Sequence, residues 1–213
     1  TSSDNTNNNG CPAIRCKGDI TINGGQLKST CKGSNAIYAL SDLKIENSNV
    51  TTDTDNDNAA VSKYPAIWCD GDLTINGGQL KSTCKGSDAL GAAGTLSITN
   101  CNVENKGASA LYSQGEMTLT DGSITAEAEY NAIISNSAMT ITNATVKATA
   151  QKYNALRASD VMKIDGGRVE ATTTTVLYDD AEPYAIHMQP MDDGSNNGRM
   201  VIGGGAELYV KGY

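Results

Sequence analysis

Eight residues of the chain, Arg15, Tyr38, Trp68, Gly91, Tyr112, Ile134, Arg157 and His187, each follow an Ala-Ile or Ala-Leu pair. Four more aromatics, Tyr64, Tyr130, Tyr153 and Tyr184, sit one or two positions ahead of the same alanines. Tyr and Trp present rigid rings that are apolar on the face and polar at the tip. The C–H faces of a sugar stack on such rings, while guanidinium and hydroxyl groups bind its oxygens. Arg15, Tyr38, Trp68, Tyr112, Arg157 and His187 are therefore the candidate carbohydrate-binding residues. A ladder of them suits a linear polysaccharide. The plainer reading is that the rings only cover turns, since single exposed aromatics are ordinary.

Carboxylates recur on a second position. Asp19, Asp42, Asp70 and Asp72, with Glu116 and Asp160, fall at the corner after the aromatic position. Hard oxygen donors gathered there suit Ca²⁺, which takes six to eight of them. Aspartates in turns also accept backbone N–H bonds without any metal. A further acidic run, Asp53, Asp55 and Asp57, opens like an EF-hand loop. It lacks the glycine of the sixth position and has Tyr64 at the twelfth, so it is a weak metal signal.

The elements that position these groups follow from a repeat. Gly18 to Ser34 and Gly71 to Ser87 are identical except at Ile20 and Leu73. The alanines Ala13, Ala36, Ala66, Ala89, Ala110, Ala132, Ala155 and Ala185 are spaced 23, 30, 23, 21, 22, 23 and 30 residues apart. Each repeat carries apolar residues two apart, as in Ile20/Ile22, Leu43/Ile45, Met117/Leu119 and Met162/Ile164, which is the period of a half-buried strand. A third apolar position follows at Leu27, Val50, Leu80, Val103, Ile124, Val146, Val169 and Leu208. The spacing predicts an all-β fold: a right-handed parallel β-helix, a solenoid of about eight coils with three short strands in each. At about 4.8 Å per coil the rod is roughly 40 Å long. Leucine-rich repeats share the period but not the composition, because the dense Leu framework and helical spacing are missing.

Composition agrees. The chain has 22 Gly, 4 Pro and no Phe among 213 residues, which favours short strands and tight turns. A net charge of −8 argues against a nucleic-acid partner. No apolar run reaches the length of a transmembrane segment. Residues 1–10, TSSDNTNNNG, read as a flexible tether left after a removed leader or lipid anchor, and 11–213 as the β-helix domain. The six cysteines lack finger-type spacing. Cys16 and Cys31 match Cys69 and Cys84 across the repeat, as buried thiols or as in-coil disulfides.

The segments GDITINGG and GDLTINGG, with the turns Gly18-Asp19, Asn23-Gly24-Gly25, Gly71-Asp72 and Asn76-Gly77-Gly78, resemble a family of bacterial extracellular carbohydrate-binding β-helix proteins related in fold to pectate lyases. The resemblance runs from Cys11 onward and implies calcium and acidic polysaccharides such as polygalacturonate. Later coils depart from it, as at Gly94-Thr95 and Ser137-Ala138. The expected function is noncatalytic, extracellular or cell-surface binding of a polysaccharide, secreted or lipid-anchored. A structural or adhesin rod and a polysaccharide lyase or hydrolase remain the alternatives. No catalytic residue is assigned: Arg15 and Arg157 lack a carboxylate cluster in their column, and Asp42 and Asp72 are repeated turn residues.

Overall fold

The computed structural model describes residues 2–4, 11–56, 64–174, 183–189 and 198–212. These residues are all-β, with no helix among them. They form two large parallel sheets, one of 15 strands and one of 8, and the chain passes from one to the other in every repeat.

The smaller sheet is built from the residues around each Ala-Ile/Leu pair. Its strands Ile14–Cys16, Ile37–Ala39, Ile67–Cys69, Leu90–Ala92, Leu111–Ser113, Ile133–Ser135, Leu156–Ala158 and Ile186–Met188 pair in sequence order without a register slip. Parallel pairing of equivalent residues turns the sequence repeat into columns. Ile37, Ile67, Leu90, Leu111, Ile133 and Leu156 make an inward stack with no exposed surface. Each removes its side chain from water, which contributes about 1.5–3 kcal/mol per residue. The neighbouring inward column is small: Cys16, Ala39, Cys69, Ala92, Ser113, Ser135 and Ala158. The two serines fit because their hydroxyls donate to carbonyl oxygens, Ser113 to Gly115 at 2.9 Å and Ser135 to Ala138 at 2.9 Å.

The large sheet differs from the expectation of three separate strands per coil. Leu43–Asp55 and Leu73–Lys85 each run unbroken for 13 residues through the corner where neighbouring coils break. They join the second and third strand positions into one bent sheet. Residues with positive φ make the bend: Asn47 at 47° in the first, Gly77 and Gly78 at 70° and 79° in the second. Gly78 is confined to glycine twice over, because a Cβ there would stand 2.2 Å from the Ser48 carbonyl oxygen.

The interior of the large sheet changes from its first strands to its last. One inward column reads Ser29, Thr52, Ser82 and Asn105 and then Ala126, Ala148 and Ala171, all buried. The polar half is tied to carbonyls of the smaller sheet, through Ser29 to Ala36 at 2.9 Å and Ser82 to Ala89 at 2.7 Å. Burial fades at the last coil, where Ile202 is 51% and Val210 53% exposed although they continue inward columns. At the first coil, Ser2–Asp4 pair with Thr30, Cys31 and Lys32, so part of the segment read as a tether is a strand. Residues 5–10 lie outside the described residues.

None of the six cysteines forms a disulfide, including the two pairs considered for in-coil bridges. Burial pushes the Cys69 thiol up to about 12 and the Cys84 and Cys101 thiols up to about 11.

Candidate functional site

The middle residue of each strand in the smaller sheet points away from the core. Arg15, Tyr38, Trp68, Gly91, Tyr112, Ile134, Arg157 and His187 are successive partners in one ladder. The six candidate carbohydrate-binding residues therefore share one face, in chain order, one strand step of about 4.8 Å apart wherever they are consecutive.

The rings on this face are held rather than free. Trp68 and Tyr112 are two strand steps apart, yet their ring centroids are 6.0 Å apart and their planes are inclined by 24°. The gap between them is Gly91. A Cβ there would lie 2.6 Å from Trp68 Cζ3 and 2.8 Å from Cε3, so the indole lies over the glycine backbone. The Asp70 carboxylate fixes the other side of the ring. It accepts the Trp68 indole N–H at 2.8 Å and the Tyr38 hydroxyl at 2.7 Å. That bond raises the Tyr38 pKa, because the carboxylate favours the protonated phenol. Arg15 extends the ladder with its guanidinium 5.8 Å from the Tyr38 ring centroid. The Tyr112 hydroxyl accepts from the Asn136 amide at 3.0 Å.

Two pockets open along the face. The first, about 470 Å³, is lined by Tyr38, Trp68, Tyr112, Tyr64, Asn35 and Asp88, with Pro65. The second, about 530 Å³, is lined by Arg157, His187, Tyr153, Tyr184, Asn131 and Asn154, with Gln189. Ile134, only 5% exposed, stands between Tyr112 and Arg157 in the ladder and separates them.

The polar corner of both pockets was not anticipated from the sequence. The residue before each repeat alanine forms its own column, in which Asn35, Asp88, Asn131 and Asn154 bond to the next coil. Asn35 donates to the Pro65 carbonyl at 2.6 Å, and Asp88 accepts the Ser109 N–H at 3.0 Å. Asn131 accepts the Asn154 N–H, and Asn154 the Tyr184 N–H, each at 3.1 Å. The signal was present as an Asn or Asp immediately ahead of four alanines. Burial raises the Asp88 carboxyl above the usual aspartate range.

The acidic corner serves the backbone. Asp19 accepts the Asp42 N–H at 3.2 Å, Asp42 the Asp72 N–H at 2.9 Å and Asp72 the Thr95 N–H at 2.7 Å. These carboxylates staple each turn to the next coil, and Asp70 is taken up by Trp68 and Tyr38. Asp53 and Asp55 are exposed strand residues, paired in register with Thr83 and Lys85, and Asp57 lies outside the described residues. Among the described residues no group of three or more His, Cys, Asp or Glu side chains converges as a metal site.

No helix among the described residues is long and apolar enough to cross a membrane. The chain has no match among curated proteins or among solved structures. A family model described as a carbohydrate-binding domain-containing protein matches residues 99–209, a segment that carries Tyr112, Arg157 and His187. That match spans half of the chain, agrees with the sugar-binding chemistry of the ladder, and shows that the chain belongs to this family of carbohydrate-binding proteins.

Proposed function

We propose that the protein is a noncatalytic polysaccharide-binding rod. Its chain winds as a right-handed parallel β-helix and lays a linear glycan along the outer face of the eight-stranded sheet. The one-repeat register of both sheets supports the winding, and the right-handed sense follows from the twist of parallel strands joined by crossovers. The observation that carries the binding reading is the Trp68–Tyr112 pair across Gly91, beside a pocket edged by the amide of Asn35 and the carboxylate of Asp88. Two held rings offer apolar area at low entropic cost, and the polar corner supplies hydroxyl partners. We infer a place outside the cell, secreted or at a bacterial surface, where a polymeric glycan would be met.

Trp68 is the sole tryptophan, so its emission reports this surface directly. Titration with neutral glucan and xylan oligosaccharides and with oligogalacturonides, each with and without EDTA, is expected to shift Trp68 emission with at least one of them, EDTA making no difference. Trp68→Ala or Tyr112→Ala, followed by calorimetry with that ligand, is expected to weaken binding by about 1–3 kcal/mol. Absence of binding across the panel would leave the structural-rod reading. Unsaturated or reducing-end products released from any member would establish a lyase or hydrolase instead.

A further inference from the structure

The ladder carries two kinds of chemistry, and only the first is accounted for by aromatic stacking. The pocket around Trp68 contains a carboxylate, Asp88, and no cation. The pocket around Arg157 contains a cation and no carboxylate, its other walls being phenol, amide and imidazole groups. Arg157 makes no ion pair among the described residues, and its Nε is buried without a hydrogen-bond partner. The Nδ1 of His187, the next residue in the ladder, is likewise buried and unpartnered.

Two such nitrogens side by side are unusual in a chain that satisfies most of its buried polar groups. An orphaned buried donor gives up its bonds to water and gains none in return, which is costly. A ligand that accepts from both recovers that cost, and a guanidinium selects a planar or multidentate oxyanion. The neighbouring groups are already committed. Tyr184 packs against the His187 ring at 5.0 Å, Tyr153 stacks on Tyr130 at 5.6 Å, and the Asn131 and Asn154 side-chain oxygens each accept a backbone N–H. Burial and then the Arg157 charge lower the His187 pKa, which favours the neutral ring with its single N–H.

We propose that the Arg157–His187 pocket is a second subsite that accepts an oxyanion substituent, a carboxylate or sulfate, on the same glycan whose sugar face stacks on Trp68. It rests on the glycan-binding reading above. Arg157 lies four strand steps from Trp68, about 19 Å along the ladder. A bound chain must therefore span several sugars and carry its charge at one end of the footprint, and short ligands occupy one subsite at a time.

The composition of the chain makes the test clean, because it has one Trp and one His. Trp68 emission reports the stacking subsite and the His187 imidazole NMR signals report the other. Glucuronate is expected to move the His187 signals while leaving Trp68 emission unchanged, and glucose at the same concentration to leave His187 unmoved. Arg157→Gln should abolish the glucuronate response, and Arg157→Lys should retain it with weaker affinity, since the charge stays and the fork is lost. The proposal is overturned if glucose and glucuronate move His187 alike, if Arg157→Gln keeps the full response with native circular dichroism, or if glucuronate moves Trp68 and His187 together. Failure of the glycan-binding reading is separate, and shows as no Trp68 response to any oligosaccharide.

Discussion

Gly91→Ala isolates the central geometric claim, because it adds one methyl group under the Trp68 ring and removes nothing. Gly91 does not have positive φ, so alanine suits the backbone, and its lower unfolded-state entropy favours folding by about 0.4–1 kcal/mol. The new carbon would stand 2.6 and 2.8 Å from two indole carbons, against about 3.5–4.0 Å for ordinary contact. The ring must lift by about 1 Å. That displacement strains the 2.8 Å bond to Asp70 and opens the 6.0 Å stack on Tyr112, which is worth about 0.5–1.5 kcal/mol. If the glycan uses this pair as its platform, affinity falls about 2- to 12-fold while Tm stays within a few degrees. Trp68 emission gives the ring's displacement, and titration of the same sample with the best ligand of the panel gives affinity. A shifted emission with unchanged affinity would refute the role of the indole. An unshifted emission would refute the reading of Gly91 as its floor.

Leu111→Ala removes a fully buried side chain from the middle of the inward stack; a loss of about 2–5 kcal/mol, seen as a Tm lower by about 4–20 °C, is expected in thermal unfolding. Mapping of thiol labelling by mass spectrometry at mildly alkaline pH should find the exposed Cys11 modified in the native protein. The buried Cys69, Cys84 and Cys101, with raised pKa values, should react only after denaturation. Asp88 and Asp19 have opposite pH signatures. Burial raises the Asp88 pKa, so its stabilising contribution is present at low pH and lost as pH rises through the folded value; Asp88→Asn should raise Tm at neutral pH and leave acid stability unchanged. Hydrogen bonds from the Ser41 side chain and then the Asp42 N–H lower the Asp19 pKa, so its contribution is present above the ordinary aspartate range and lost as pH falls through the folded value. Asp19→Ala should therefore destabilise at neutral pH and have no effect in strong acid, as followed by thermal melts across pH.

Most of the β architecture was legible in the sequence, because alternation at period two is a property of the local chain and parallel pairing sets equivalent residues of successive repeats side by side. That is why Ile14 to Ile186 and Arg15 to His187 could be assigned to columns before any contact was known. At the corners the same logic leaves two uses open. The acids Asp19, Asp42 and Asp72 repeat as a metal site would, but each turns its oxygen onto the next coil's N–H, and only the stacking distance decides which use is made of it. The merging of two strand positions in Leu43–Asp55 and Leu73–Lys85 depends on whether the ladder persists through a bend, which spacing does not encode. Gly91 is the clearest case. Within its column it is simply the residue without a side chain, and in three dimensions it is the space that the Trp68 ring fills. Which residues share a face follows from periodicity along one chain. How their side chains lean across neighbouring strands, and so where a pocket opens or a donor is left without a partner, is set by packing between coils, and only the tertiary structure decided it.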